Sequence, residues 1–352
     1  MRTRIRPLSR LVHVSGALLA MVAVLAPPAF GQTPAPKKPG AKAASAPTGS
    51  SRVKRLPFGQ PDFRGVWSFA MLTPLERPEE LKDKEVLTEA EAIQYQDAIT
   101  KALDHDTPEG AERVCKGTGN YNEFWYDRGN SVAKTRRTSL IIDPPDGKIP
   151  PLTAQGQRRA QERAAYRASR GPADSWTDRG LGERCMIGFN SGPPMMPAAY
   201  NNNMQVFQTK DTFVILNEMV HDARIIPLDG RPHSSAKIRG WAGDSRGRWD
   251  GDTMVIETVN FREENRFRGA GPNLKLVEKL SRVGTDTLLY EVTVNDPETF
   301  TKPWTLQIPM SPGDGRLYEY ACHEHNYGLT GILAGHRAEE KRATEEAAAK
   351  KP

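Results

Sequence analysis

Short runs in which apolar and polar residues alternate recur through the second half of the chain, and turn residues separate them in pairs. Residues 204–209 and 212–220 flank Lys210-Asp211, and residues 246–249 and 253–261 flank Asp250-Gly251-Asp252. Alternation on both sides of an Asp-Gly turn is typical of a β-hairpin. Two further hairpins are predicted in the same way, pairing 276–283 with 287–295 and 139–143 with 149–152.

About nine or ten such strands joined by short loops predict an antiparallel meander. Closure of a meander into a barrel or a sandwich removes its exposed edges. Gly65-Val66-Trp67 in the first predicted strand resembles the start of lipocalin-like barrels. We therefore predict a mainly β fold, an antiparallel meander that closes into a barrel-like sheet of the lipocalin or calycin kind.

A helical insert is predicted after the first strand, at about residues 88–170. Thr88 and Glu91 form the pattern of a capping box ahead of a helix over 88–103. Thr153 is the predicted cap of a second, exposed helix over 153–170.

The two ends of the chain have the composition of segments outside the fold. Residues 1–31 join arginines to a short apolar run and a small-x-small cleavage site, the pattern of a signal peptide. Residues 32–55 are rich in Pro, Ala and Lys and predict a disordered leader. A single β-rich domain is expected over 56–336, and a charged helical tail over 337–352.

Charge and hydropathy exclude two classes of partner. The net charge is +6, but four arginines of the first 31 residues supply most of it, and basic residues elsewhere are interleaved with acidic ones. Nucleic-acid binding is therefore not expected. The apolar run of the signal is too short for a confident membrane span, so we expect no stable membrane anchor after cleavage and a periplasmic or extracellular location.

Three cysteines would then lie in an oxidising compartment. Cys185 and Cys322 belong to polar, aromatic-rich runs, whereas Cys115 belongs to a Gly-rich segment. We predict a Cys185–Cys322 disulfide with Cys115 free; three free thiols are the alternative.

Several rare strings occur in a fixed order and resemble those of an uncharacterised family of secreted bacterial proteins. They are PDFRGVW from Pro61, WYDRG from Trp125, ERC from Glu183, GFNSGPP from Gly188, YNNN from Tyr200, GDSRGRW from Gly243 and YACHEHNYGL from Tyr320. The resemblance covers roughly residues 56–339 and implies export and a single-family architecture. It implies no particular activity. His325 stands at a variable place of the last string, which makes His323 the better candidate for chemistry.

The strand that ends near Val220 carries the first candidate group. Period-two alternation places Glu218 on a face with apolar neighbours, so its carboxylate needs a partner or a raised pKa. Arg224 is the predicted partner across the turn. Glu218 and His221 would act as an acid/base pair; the alternative is a salt-bridged strand end with an exposed histidine.

The second candidate group surrounds Cys322. His323 is a candidate proton carrier, and in an extended chain His323 and His325 point to the same side, where they could share a metal. Glu218, His221 or His233 would supply a third ligand. We expect no cofactor, with this divalent metal as the alternative.

A third group is a polar loop stiffened by prolines. Its candidates for substrate binding are Arg184, Asn190, Tyr200 and Asn202, joined by Arg224 and His233. The alternative is that the asparagines cap turns and strand ends.

The motifs of serine hydrolases, nucleotide-binding enzymes and helical zinc proteases do not occur in the sequence. Two functions remain. The first is an exported enzyme of lyase or hydrolase type acting on a small polar or aromatic-polar molecule in a barrel cavity, with Glu218, His221 and His323 as proton carriers. The second is a periplasmic binding or carrier barrel without catalysis.

Overall fold

The computed structural model describes residues 53–107, 122–265, 267–324 and 326–350. The predicted signal peptide, most of the leader, Cys115 and His325 lie outside these residues. The described part contains ten strands and three α-helices. They are β1 (Gly65–Ser68), α1 (Glu89–Leu103), β2 (Ile141–Asp143), α2 (Ala154–Ala168), β3 (Asn203–Gln208), β4 (Thr212–Asn217), β5 (Ala223–Pro227), β6 (Asp244–Asp250), β7 (Thr253–Val259), β8 (Lys275–Arg282), β9 (Leu288–Asn295), β10 (Trp304–Pro312) and α3 (Tyr327–Ala349).

The strands form one antiparallel sheet in the order β5-β4-β3-β1-β10-β9-β8-β7-β6, with β2 paired to β10. The predicted mainly β fold is therefore confirmed. The sheet curls into a nearly closed barrel, because its two edge strands approach each other. A Cβ on Gly247 of β6 would lie 2.5 Å from Leu228 and 2.9 Å from Ile226, so this close approach requires a glycine.

The interior of the barrel is filled by side chains. Alternate residues of the strands point inward, and they form one continuous apolar core. Phe63, Phe213, Tyr290 and Trp304 are among its fully buried members. The guanidinium of Arg282 on β8 lies 4.6 Å from the ring of Trp67 in β1 and covers one edge of this core.

A buried ion pair crosses the interior. Arg224 of β5 donates two hydrogen bonds, 2.6 and 2.8 Å long, to the carboxylate of Glu278 on β8. Tyr290 and Thr258 donate to the same carboxylate at 2.6 and 3.3 Å. Burial lowers the pKa of Arg224, but the charge and hydrogen bonds of Glu278 raise it more, and the net pKa is raised. Burial also raises the pKa of Tyr290, as does the charge of Glu278.

This ion pair corrects a prediction from the sequence. Arg224 was expected to pair with Glu218, but it points into the barrel together with Ile226, two residues further along the same strand. Glu218 lies beyond the end of β4, whereas Arg224 lies on the inward face of β5. The two side chains therefore do not meet. Arg224 was also expected to hold a ligand, but it does not line the cleft described below.

The helical insert follows the prediction closely at α1. Thr88 caps the helix, and Glu91 returns a hydrogen bond of 2.8 Å to the Thr88 N–H, completing the capping box. Leu87 and Ala92 form a small separate apolar cluster with Leu72 and Val132. Thr153 caps α2 as expected.

One predicted hairpin is wrong. β2 pairs with β10, and residues 149–152 form no strand of their own. Two of those residues, Pro150 and Pro151, have no N–H to donate to a ladder. Only Leu152 makes a bridge, to Phe300.

The C-terminal helix α3 begins at Tyr327, ten residues before the predicted tail, and none of its residues is buried. None of the described helices combines the length and apolarity needed to cross a membrane.

Candidate functional site

An acidic cleft lined by aromatic side chains is the candidate functional site. Its volume is about 480 Å³. The lining combines three carboxylates, four aromatic rings and two amides, and no basic residue is among the described residues that line it. These are Asp127, Glu218, Asp314, Trp125, Tyr200, Tyr318, Tyr320, Asn201 and Asn203.

The cleft lies against the outer face of the barrel. Met204 and Val206 of β3 point into the core and are almost completely buried. Because successive residues of a strand face opposite sides, Asn203 at the start of β3 points outward. The site is therefore separate from the packed interior, where the sequence placed a ligand cavity.

Glu218 is fixed at the base of the cleft by hydrogen bonds to both carboxyl oxygens. Asn203 Nδ2 donates to Oε2 at 2.7 Å, and the Tyr318 N–H donates to Oε1 at 3.3 Å. The Glu218 N–H in turn donates to the Asn203 carbonyl at 3.0 Å. Glu218 is only 3% exposed, although it lies beyond the end of β4 and not on the buried face that the predicted longer strand would have given it.

The turn that follows Glu218 has an unusual backbone. Val220 and His221 adopt φ values of 64° and 55°, in the left-handed region. A β-branched residue such as Val is strained there, and backbone strain of this kind concentrates at functional sites. The strained turn ends β4 at Asn217 and directs Glu218 to the cleft.

Asp127 forms the opposite acidic wall. Its N–H donates to the Ala199 carbonyl at 2.9 Å, and its carbonyl accepts from Asn202 Nδ2 at 2.7 Å. Partial burial raises the pKa of the Asp127 carboxyl, and the negative charges of Glu218 and Asp314 raise it further. A positive charge in the cleft would relieve this repulsion.

Tyr318 and Tyr320 belong to the chain segment after β10, which a disulfide holds against the domain. Cys185 and Cys322 are bonded, with their Cα atoms 5.7 Å apart, so the predicted pairing is confirmed. Tyr318 and Tyr320 lie just before Cys322. Tyr318 and Trp125 are 62% and 63% exposed, so both present most of their ring surface to incoming molecules.

The predicted asparagines support the cleft from behind. Asn190 and Asn202 are buried, and Asn190 Nδ2 donates to the carbonyls of Tyr200 and Asn201 at 3.0 and 3.1 Å. Asn202 ties Ala198 to Asp127 through its amide. These two residues position the cleft wall, whereas Tyr200 lines the cleft itself.

Arg184 lies elsewhere, with its guanidinium 4.6 Å from the ring of Trp176 and 5.9 Å from that of Trp241. It is not among the residues lining the cleft. Of the predicted ligand-binding residues, only Tyr200 lines the cleft, and of the predicted proton carriers, only Glu218.

The predicted histidines are dispersed. His221 follows Glu218 in the strained turn, and its Nδ1 is buried with no hydrogen-bond partner in the described part of the chain. His323 is exposed. His233 pairs with Asp244 at 2.7 Å and approaches Glu257 at 3.5 Å, on the side of β6 and β7. The metal pair of His323 and His325 stays a prediction, because His325 lies outside the described residues.

Sequence reasoning missed Asp127, Asp314 and the ring surfaces of Trp125, Tyr318 and Tyr320. A signal for some of them was present, because Trp125 and Asp127 belong to the WYDRG string and Tyr320 opens the YACHEHNYGL string. Asp314 stands in an ordinary Gly-rich turn and carried no signal.

Comparison with known proteins gives no relative: no family model, no curated protein and no solved structure matches this chain.

Proposed function

We propose that this protein binds a small organic cation in the acidic aromatic cleft. The observation that carries the proposal is the lining, in which three carboxylates and four aromatic rings face a volume of about 480 Å³ with no basic residue among them. Small-molecule sites typically occupy about 300–1,000 Å³. A neutral or anionic ligand would leave the repulsion between the carboxylates uncompensated.

Aromatic rings and carboxylates are the two groups that attract an ammonium ion. A cation over the face of a Trp or Tyr ring gains about 0.5–2 kcal/mol, and several rings together form the kind of cage that recognises quaternary ammonium groups. Trp125, Tyr318 and Tyr320 would supply the ring faces. Glu218 and Asp127 would supply the opposite charge at short range.

Acid/base catalysis in the same cleft is the second candidate, favoured by the raised pKa of Asp127 beside Glu218. Two carboxyl groups with different environments are the usual arrangement for a general acid and a general base. Asp127 would donate a proton and Glu218 would accept one. His221 and His323, the other proton carriers suggested by the sequence, do not line the cleft.

Export is part of the proposal. The Cys185–Cys322 disulfide supports it, because disulfides persist mainly in oxidising compartments. The N-terminal signal pattern and the resemblance to a secreted bacterial family point the same way and stay predictions.

The proposal is tested by comparing two carboxylate substitutions. Glu218→Gln keeps the shape of the cleft and removes one charge, so the affinity for choline, measured by calorimetric titration, is expected to fall at least tenfold, about 1.4 kcal/mol. Glu89→Gln removes an exposed carboxylate from α1, outside the cleft, and is expected to leave the affinity unchanged. Equal affinities for both variants and the wild type would reject the cleft as the binding site.

Mass spectrometry of the bound amine separates the two candidate functions. An unchanged ligand after incubation supports binding alone. A product that forms with the wild type and not with Glu218→Gln supports the enzyme.

A further inference from the structure

A second cluster of ligand-type side chains, which shares no residue with the cleft, lies where helix α3 meets the loop after α2. Asp174 comes from the loop, and His336 and Glu340 lie one turn apart on the helix. His336 Nε2 is 3.0 Å from Asp174 Oδ1 and 3.5 Å from Glu340 Oε1. All three ligand atoms lie within 4.8 Å of one another.

The two separations from His336 Nε2 fit a tetrahedral metal ion. Zn²⁺ binds imidazole nitrogen and carboxylate oxygen at about 2.0–2.2 Å, which places tetrahedral ligand atoms about 3.3 Å apart. The two distances from His336 Nε2 lie on either side of that value. The geometry points to a zinc site, and we propose that Asp174, His336 and Glu340 bind one Zn²⁺, with water in the fourth position.

Two of the three proposed ligands, Asp174 and Glu340, are held by a partner on their other carboxyl oxygen. The Gly171 N–H donates to Asp174 Oδ2 at 2.8 Å. Arg337 Nε is 3.2 Å from Glu340 Oε2. His336 Nδ1 is 3.9 Å from a carboxyl oxygen of Glu339, which is too far for a hydrogen bond. Asp174 Oδ1 and His336 Nε2 share a hydrogen bond of 3.0 Å, and a metal bound by these two atoms and Glu340 Oε1 would replace its proton.

Gly171 leaves space beside the proposed ligand atoms of Asp174 and His336. A Cβ at residue 171 would lie 2.3 Å from Asp174 Oδ1 and 3.0 Å from His336 Nε2. The backbone of Gly171 does not have a positive φ. The glycine is thus needed for space beside the ligand atoms and not for a special backbone conformation.

Few contacts of buried side chains fix helix α3 to the domain. α3 runs for 23 residues and buries none of them, so apolar packing contributes little to its position. Its start is held by Asn326, whose Nδ2 donates to the Glu183 carbonyl at 2.8 Å. Arg337 Nη2 adds a bond of 2.9 Å to the Ala173 carbonyl. A metal bridging Asp174 to two helix residues would fix the middle of α3 to the domain.

The mixed ligand set favours zinc over the alkaline-earth ions. Imidazole suits zinc and other borderline transition ions, whereas Ca²⁺ and Mg²⁺ prefer oxygen ligands alone. Two carboxylates and a neutral imidazole balance the charge of one divalent ion.

The test uses the full mature chain, purified with a tag that contains no histidine and stripped with a chelator. Calorimetric titration with zinc chloride is expected to give one site in the wild type. His336→Gln is expected to weaken that site more than about 100-fold, since even the loss of an outer partner weakens metal sites 10–100-fold. Glu346→Gln removes an exposed carboxylate further along α3, outside the cluster, and is expected to leave the zinc affinity unchanged.

Gly171→Ala gives a second readout, because it keeps all three ligand residues but adds a Cβ 2.3 Å from Asp174 Oδ1, which displaces that carboxylate. Zinc is expected to raise the melting temperature of the wild type and of Glu346→Gln, and to have no effect on Gly171→Ala or His336→Gln. The proposal is overturned if the wild type binds no zinc at micromolar concentration, or if His336→Gln and Gly171→Ala keep the wild-type affinity. Magnesium chloride in place of zinc is expected to give no shift, and an equal shift would also overturn it.

Discussion

Two carboxylates that are both almost fully buried have different environments in this protein. Glu278 points into the barrel and is neutralised by Arg224. Glu218 points to the outer cleft and is held by an asparagine and a main-chain N–H, with no cation bound to it in the described structure. The first arrangement serves folding, whereas the second leaves a carboxylate ready to receive a positively charged ligand.

The Arg224–Glu278 pair makes a stability prediction. Arg224→Met leaves the Glu278 carboxylate buried without its cation, so the free energy of unfolding is expected to fall by about 3–5 kcal/mol. The double variant Arg224→Met with Glu278→Leu removes both charges and is expected to regain most of that loss. Urea unfolding of the three proteins measures this. A single variant within about 1 kcal/mol of the wild type would contradict the assignment.

The raised pKa of Asp127 predicts a substitution that stabilises the protein, whereas Arg224→Met is expected to destabilise it. A carboxyl whose pKa is higher in the folded than in the unfolded state binds protons more tightly when folded, so stability falls as the pH rises through that window. Above that window the ionised Asp127 therefore opposes folding. Asp127→Asn is expected to melt at a higher temperature than the wild type and to bind choline more weakly.

The pH dependence provides the control for that variant. The difference in melting temperature between Asp127→Asn and the wild type is expected to shrink as the pH is lowered through the raised pKa, because the wild-type carboxyl then becomes protonated. A difference that stays constant or grows on acidification would show that repulsion at Asp127 is not its cause.

At single residues, the sequence predicts burial better than it predicts partners. The alternation of Leu276, Glu278 and Leu280 identifies Glu278 as an inward carboxylate. Glu218 is also buried, but it lies beyond the end of β4, so alternation along that strand does not explain its burial. The partner of Arg224 could not be derived, because β5 and β8 come together only through the closure of the sheet. Contacts between strands distant in sequence depend on that closure and not on local pattern.

At the level of elements, turn and cap chemistry was the dependable signal. The hairpins around 210–211, 250–252 and 284–286 form as predicted, as do both capped helices. The failed hairpin at 139–152 contains Pro150 and Pro151, whose missing N–H groups outweigh the turn signal of Asp146-Gly147. β4 is shorter than predicted because the strained turn at Val220 ends it early, a tertiary effect with no local signal.

The Cys185–Cys322 disulfide holds the chain segment that carries Tyr318 and Tyr320 at the cleft. It closes a sequence separation of 137 residues, for which the chain-entropy estimate is about 4–5 kcal/mol. The double variant Cys185→Ser, Cys322→Ser is expected to lose stability of that order. It is also expected to bind choline more weakly, because the segment with Tyr318 and Tyr320 is no longer held.

Thermal melts and titrations of that double variant are compared with the wild type under the same buffer conditions. A loss of stability with unchanged choline affinity would show that the tyrosine segment keeps its place without the bridge. Unchanged stability would contradict the role of the bridge altogether.

At the scale of the whole molecule, the sequence predicted the architecture correctly but not the position of the candidate cleft. A barrel-like meander suggested an interior ligand cavity, but Trp304, Tyr290 and Phe213 fill the interior. The number of large side chains pointing inward decides whether a small barrel is a core or a container, and it depends on the register of every strand. The cleft is instead assembled on the outer face from four segments of the chain, near Asp127, Tyr200, Glu218 and Tyr318.

The central claim is that this outer cleft selects positive charge. Choline and its neutral carbon isostere, in which carbon replaces the ammonium nitrogen, have nearly the same shape and differ in charge. Calorimetric titration of the wild-type protein with each, at low ionic strength, is therefore the most direct measurement. The account predicts that choline binds at least about tenfold more tightly than the isostere, a difference of about 1.4 kcal/mol. Equal affinity for the two compounds, or no binding of choline at millimolar concentration, would contradict it.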